Sequence, residues 1–269
     1  MKAAEWSAAM TEGSEVMKIV VIGGTGLIGS KVVELLAEHG HDAVAASPNS
    51  GVNTISGEGV AAVLEGANVV VDVSNSPSFA DDDVLAFFTT STANLIAAER
   101  EAGVTHHVAL SIVGAERLPS SGYLRAKVAQ EKLIEESGLP YSIVRATQFF
   151  EFVGRIADEA TVDGTARLST GLMQPIAAAD VSAAVARVAA GDPINGTVEV
   201  GGPERIPQDE FVRTGMAAKG DSRVVVGDPD ATYFGTKIAG TELVPESSDA
   251  RLSTTTFADW LATQSAIVK

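Results

Sequence analysis

Residues 121–133 read SGYLRAKVAQEKL, with Tyr123 four positions before Lys127. In a helix this spacing puts both side chains on one face. A phenol with an ordinary pKa of about 10 exchanges protons poorly at neutral pH. An ammonium beside it favours the phenolate and lowers that value. The pair then suits acid–base work on a carbonyl or alcohol oxygen. A hydroxyl that could hold such an oxygen stands upstream at Ser111, near the end of an apolar run. The bland alternative is a surface tyrosine beside a solvated lysine.

A second constellation lies near the start. VVIGGTGLIGSKV, residues 20–32, spaces Gly23, Gly26 and Gly29 between a strand-like run and a helical one. A tight turn needs an unrestricted backbone. A pyrophosphate must approach that backbone closely, and a helix N-terminus offers free N–H groups and partial positive charge. Thr25, Leu27 and Ile28 fill out the candidate phosphate loop. The choice between dinucleotides turns on the end of the second strand, where a carboxylate would hold ribose hydroxyls and repel a 2′-phosphate. AASPNSG, residues 45–51, has no acid there, and Ser47, Asn49 and Ser50 can donate to a phosphate. NADP(H) is therefore expected over NAD(H), although no arginine stands at that point either.

These groups need a scaffold. Short apolar runs at 17–24, 41–47, 68–74, 105–114 and 140–146 alternate with helical patterns at 25–40, 59–67, 82–103 and 123–137. Gly40 suits the end of the first helix. The alternation predicts right-handed βαβ units and a parallel sheet, with reactive groups at the carboxyl ends of its strands. Beyond residue 150 the rhythm loosens. Strands are expected at 164–170 and 196–203, and helices at 177–191, 207–220 and 254–264, with Asp180 as an N-cap. Residues 227–249 read as a loop, a candidate lid carrying Tyr233 and Phe234. With no linker or repeat, the expected organisation is a leader over 1–16, a nucleotide-binding core over 17–155 and a packed lobe over 156–269. Met17 is a candidate alternative start.

Composition narrows the chemistry. The 269 residues are 45% hydrophobic but only 5% aromatic, so the core must be aliphatic. A formal charge of −16 repels phosphate backbones and anionic lipid, which argues against nucleic-acid and membrane partners. Without cysteine there is no disulfide, thiolate zinc site or thiol nucleophile. No apolar run has the roughly 18 residues of a membrane span, and the cytoplasm is the expected compartment.

GGTGLIG, VVVDVSNSP, TANLIAAEREAGVTHHVALSIVG, YLRAK and YSIVRATQFFEF together resemble a short-chain dehydrogenase/reductase of the extended or atypical branch, near the NmrA-like group. The likeness covers about residues 17–155. It implies a Rossmann-type, doubly wound α/β sheet with a small C-terminal substrate lobe, and an NAD(P)-dependent oxidoreductase. By analogy Ser111 polarises a carbonyl, Tyr123 delivers the proton, and Lys127 tunes Tyr123 and holds the nicotinamide ribose. Val73, Ser74 and Asn75 would line the cofactor, as would Ala146, Thr147, Gln148 and Phe149. Phe79, Val113 and Phe150 are candidates for the substrate site. Many NmrA-like proteins lack the tyrosine and act as redox sensors, which leaves a sensor as the alternative to a carbonyl reductase, along with a tyrosine-independent quinone reductase. Relatives often pair through the helices at 82–103 and 123–137, so a homodimer is possible.

Asn94 could steady the active-site helix or a proton-relay water, or face solvent. His106 and His107 read as strand-edge residues and not as metal ligands, and no metal is expected. Asp81, Asp82 and Asp83 read as a solvated helix start favoured by the dipole.

Overall fold

The computed structural model describes residues 16–238 and 240–267; the rest of the expected leader, 1–15, lies outside them. The expected alternation is present. Strands β1 (Lys18–Ile22), β2 (Asp42–Ala46), β3 (Val69–Asp72), β4 (His106–Ile112) and β5 (Tyr141–Ala146) are separated by helices α1 (Gly29–Glu38), α2 (Val60–Leu64), α3 (Asp81–Ala102) and α4 (Gly122–Glu135). Two later strands, β9 (Gly196–Gly201) and β14 (Arg251–Leu252), complete a seven-stranded parallel sheet in the order β14-β9-β5-β4-β3-β1-β2. It is a Rossmann-type, doubly wound α/β sheet.

Burial explains why these segments become strands. Ile19, Val20 and Val21 are all fully buried, as expected for a central strand covered on both faces. Ile19 and Val21 pack with Val32 and Leu36 of α1 and with Val181 and Val185 of α6 (Ala178–Ala189). Val20 and Ile22 point the other way, onto Leu64 of α2 and Leu95 of α3. Each face thus buries its own aliphatic layer. Because β2 and β3 lie on opposite sides of β1, the sheet has its switch point beside β1, and a crevice opens at the carboxyl ends of β1 and β3.

The rest of the chain beyond β5 forms a second cluster around α5 (Val153–Glu159), α7 (Gln208–Ala218) and α8 (Phe257–Ile267). Between them run β6 (Thr161–Val162), β7 (Thr165–Leu168), β8 (Leu172–Met173), β10 (Ile206–Pro207) and β11 (Val224–Gly227). Phe150, Phe211, Phe257 and Trp260 meet there with ring centroids 4.5–6.4 Å apart. Strands β12 (Thr232–Tyr233) and β13 (Thr236–Lys237) make a small hairpin inside the segment expected to be loop. Among the described residues no helix is long and apolar enough to cross a membrane.

Local expectations needed four corrections. The first helix is C-capped by His39, and Gly40 follows in the left-handed region at φ +85°. Ala177, not Asp180, is the N-cap of α6; Asp180 sits in its first turn, and the Ala178 N–H donates instead to Glu151 Oε2 at 3.0 Å. His41, which flanks the turn after α1 where a polar side chain would be expected to face solvent, is buried. His106 and His107 are not at an edge, because β4 lies inside the sheet. His107 Nδ1 pairs with the buried Glu99 carboxylate at 2.8 Å, and His106 Nε2 meets Ser142 Oγ at 2.8 Å. Burial disfavours a charge on His107, but Glu99 outweighs it and raises the pKa.

His106 has no carboxylate bonded to it, and burial, reinforced by His107, lowers its pKa to about 4. The folded value lies below the ordinary 6.5, so the unfolded chain takes up the proton first. Stability from this group is intact above pH 6.5 and is lost as pH falls toward 4, by about 3 kcal/mol at most. Urea denaturation at pH 7.5 and at pH 5 should show wild type losing more stability on acidification than His106→Phe. Equal losses would remove His106 as the source.

Candidate active site

The turn from β1 into α1 is closed by backbone against backbone. Gly23 is left-handed at φ +80°, and a Cβ on it would lie 2.9 Å from the Ser74 nitrogen. A Cβ on Gly29 would lie 2.2 Å from the Gly23 carbonyl oxygen. Gly24, outside the expected glycine triplet, is as confined: a Cβ there would lie 2.7 Å from Ala45 Cα. Gly26 donates its N–H to the Gly23 carbonyl at 2.9 Å. No side chain caps the first turn of α1. Gly23, Thr25, Gly26, Leu27 and Ile28 line a cavity of about 830 Å³, while Gly29 packs beneath the turn and does not face it.

At the end of β2, Ser47 lines the same cavity, and its buried Oγ has no partner. Asn49 and Ser50 do not line it. Ser50 Oγ is turned back, accepting from the Ser47 N–H at 2.9 Å and donating to the Ser47 carbonyl at 3.0 Å. The wall continues instead through Val52, Asn53, Thr54 and Ile55. This loop is tied to α3: Asn94 Nδ2 donates to the Thr54 and Ile55 carbonyls at 2.8 and 3.0 Å, and Ser91 Oγ donates to Thr54 Oγ1 at 2.8 Å. Asn94 therefore supports the far end of the cavity and not the Tyr123 helix. A confined glycine turn, an uncapped helix and an orphaned hydroxyl beyond β2 are what a dinucleotide requires, so the residues present fit one.

Ser111, Tyr123 and Lys127 all line this cavity. Ser111 sits on β4, where its buried Oγ has no partner. Tyr123 and Lys127 share a face of α4, but their tips diverge. The Tyr123 hydroxyl donates to Asn75 Oδ1 at 3.0 Å, and its ring stacks on Phe234. Lys127 reaches the sheet, where Nζ donates to the Leu110 carbonyl at 2.8 Å and to Gln130 Oε1. It also lies 4.3 Å over the Phe88 ring. Gln130 in turn donates to Asp72 Oδ2 at 2.9 Å, and Ser74 donates its N–H and Oγ to Asp72 Oδ1.

This divergence overturns the expected tuning. Burial pushes the Tyr123 pKa up to about 12, against the pull of the Arg155 guanidinium and the Asn75 hydrogen bond. Burial lowers the Lys127 ammonium to about 8, against the carboxylates of Asp72 and Glu131. The cation acting on Tyr123 is Arg155, from α5.

The other expected cofactor residues, Val73, Ser74 and Asn75 after β3 and Ala146, Thr147, Gln148 and Phe149 after β5, line the cavity. Of the substrate candidates only Phe79 does. Val113 is fully buried, and Phe150 belongs to the lobe core, its ring 5.0 Å from Phe257. The lobe wall is made by Phe152, Arg155, Ile156 and Glu159, whose three- and four-residue spacing marks one helical face. That periodicity was readable in FEFVGRIADE. The β12–β13 hairpin supplies Tyr233 and Phe234. Its turn holds Phe234 at φ +48° and Gly235 at φ +74°, a conformation that costs a bulky residue about 1–2 kcal/mol. Among the described residues no group of three or more His, Asp or Glu could hold a metal.

A family profile described as NAD(P)H-binding matches residues 23–192. The divinyl chlorophyllide a 8-vinyl-reductase of Cucumis sativus, a chloroplastic protein, is 33% identical over 222 residues, covering 69% of this chain and 52% of that one. Photosystem II assembly factor Ycf39 of Synechocystis sp. is 26% identical over 176 residues, covering 60% and 54%. The chain spans about half the length of these curated relatives. Among solved structures, MoeE5 in complex with UDP-glucose and NAD aligns with a TM-score of 0.73 at 18% identity, over 94% of this chain and 100% of that one. An NADPH-dependent quinone oxidoreductase from Escherichia coli aligns with a TM-score of 0.64 at 17% identity, over 91% and 99%. At such identities these two likenesses show the fold. The profile match, spanning the glycine turn, Ser111 and the Tyr123 helix, shows that the chain belongs to this NAD(P)H-binding family, in keeping with the motif resemblance to the extended, NmrA-like short-chain dehydrogenases/reductases.

Proposed function

We propose that this chain is an NADPH-dependent reductase that moves hydride to a carbonyl or related C=X group, with Tyr123 as proton donor. The observation that carries this reading is the placement of two side-chain hydroxyls, Ser111 and Tyr123, on the cavity that begins at the glycine turn. Against the expected division at residue 155, α6, β9 and β14 would join the strands and helices up to Ala146 in the nucleotide core, and the other elements of 156–269 would close the substrate end.

The nicotinamide supplies the hydride when bound. Ser111 Oγ, buried without a partner, is a free donor for the carbonyl oxygen. Tyr123, with a pKa of about 12, is a neutral phenol at pH 7. Its O–H can leave Asn75 for the substrate oxygen and pass its proton to the alkoxide, which is the stronger base. Hydride and proton together convert C=O to CH–OH. Lys127 contributes through the Leu110 carbonyl, which fixes the end of β4 next to Ser111. The preference for NADPH rests on Ser47 and on the lack of a carboxylate where β2 meets the cavity.

One observation favours a second reading, reduction of a quinone or a C=C bond without the tyrosine. Lys127 is bonded away from Tyr123, and the phenol is raised and not lowered. The vinyl-reductase and quinone-oxidoreductase names of two similar proteins are compatible with it.

NADPH oxidation across aldehydes, ketones, imines and quinones separates these readings. Tyr123→Phe should lower kcat on carbonyls by about 10²–10⁴-fold while leaving NADPH affinity within about threefold. Undiminished turnover in that variant would assign the chain to the second reading. Silence in both proteins with NADPH still bound would favour a redox sensor.

Cofactor choice has its own test. Ser47→Asp puts a carboxylate at the end of β2 and should weaken NADPH binding by about tenfold, leaving NADH within about threefold. An unchanged NADPH affinity would show that the 2′-phosphate does not lie at Ser47.

A further inference from the structure

The chain is only 5% aromatic, yet half of its Phe, Tyr and Trp residues line this one cavity. They gather at the lobe end. Tyr123 and Phe234 stack at 5.3 Å with 20° between ring planes, and Phe79 adjoins both at 5.4 and 6.1 Å. Phe149 and Phe152 form a second stacked pair at 5.1 Å and 30°. Aliphatic side chains would make an apolar wall equally well, and this chain uses them to fill the core of its sheet. Aromatic walls add flat faces of negative potential and edges of positive potential, which favour another ring system over a puckered one.

The hairpin gives independent support. A two-residue turn with both central residues left-handed is best filled by Asn-Gly or Asp-Gly. Here the first position is Phe234, at φ +48°. The turn geometry itself does not require a ring, and the ring it carries lies against Tyr123 and, edge-on, against Tyr233. The polar side chains beside it are already engaged: Asn75 accepts from the Tyr123 hydroxyl at 3.0 Å, Arg155 and Glu159 bond to each other at 2.8 Å, and Arg155 covers the Phe79 face. A sugar ring would bring hydroxyls to a wall with few partners to offer, whereas a flat apolar ring leaves none unpaired.

From this we infer that the lobe end of the cavity takes a flat, conjugated ring compound, stacked on the wall of Phe79, Tyr123 and Phe234, with Phe234 setting the preference for flatness. The three rings touch, so the ligand lies against the wall they form and not between them. The inference rests on the reading of this cavity as the reduction site, and it names the substrate class of that site.

The test is binding and not turnover, so it stands apart from the role of Tyr123. Full-length protein saturated with NADP⁺ is titrated calorimetrically with 2-naphthaldehyde and with decahydronaphthalene-2-carbaldehyde, the same skeleton saturated and puckered. The flat aldehyde should bind at least tenfold more tightly. Phe234→Asn removes the ring while giving the turn a residue it tolerates better. That variant should keep or raise its Tm, keep NADP⁺ affinity within threefold, and reduce the flat-over-puckered ratio to threefold or less. Equal binding of the two aldehydes, a failure of both to bind, or an undiminished ratio in Phe234→Asn would overturn the inference. A retained ratio with no turnover in any assay would leave it standing and remove the reductase proposal instead.

Discussion

Everything in this molecule that faces the cavity depends on a backbone contact with no room for a side chain. Between Gly23 and Gly29 the chain turns from β1 into α1 so closely that a single methyl at Gly29 would meet the Gly23 carbonyl. Gly24 is pressed against β2, and Gly23 against the segment that follows β3. The turn is thus fixed from both sides of the sheet at its switch point. The uncapped end of α1, the orphaned Ser47 hydroxyl and the Val73–Asn75 wall all take their positions from it.

A second constraint is electrostatic. Lys127 is buried, and a buried ammonium must be paired or lose its proton. Its charge is answered by the Leu110 carbonyl, Gln130, the Phe88 ring and, one step further, Asp72. Asp72 also holds Ser74. The network joins the ends of β3 and β4 to α4 beneath the cavity. The lysine therefore acts on the scaffold, and the tyrosine one turn earlier on the same face takes its electrostatic environment from the lobe, through Arg155.

The sheet core was legible because buried parallel strands are apolar runs, and the runs from 17 to 146 are separated by helices with their own periodicity. The glycine turn and the Tyr123–Lys127 face were legible for the same reason, since both are local patterns. Where the tips of those side chains go was not, because an i, i+4 spacing names a face and says nothing about reach. His106 and His107 look like an exposed edge until α3 packs Glu99, eight positions earlier than His107, against His107, and β5 brings Ser142 to His106. Phe150 and Phe152 are two residues apart in one aromatic run, and only the turn into α5 decides which enters the lobe core and which faces the cavity. Strand β14 is two residues long, too short for any pattern to announce.

The tether from α3 to the 52–55 loop has a mechanical side. Phe87 lines the cavity from the early turns of this helix, and Asn94 grips the Thr54 and Ile55 carbonyls about two turns further on. A helix of 22 residues buried along the sheet is a stiff beam, not a spring. The two walls it carries are therefore held at one separation. The width of the cavity between the 52–55 wall and Phe87 is thus set by one rigid element that carries both.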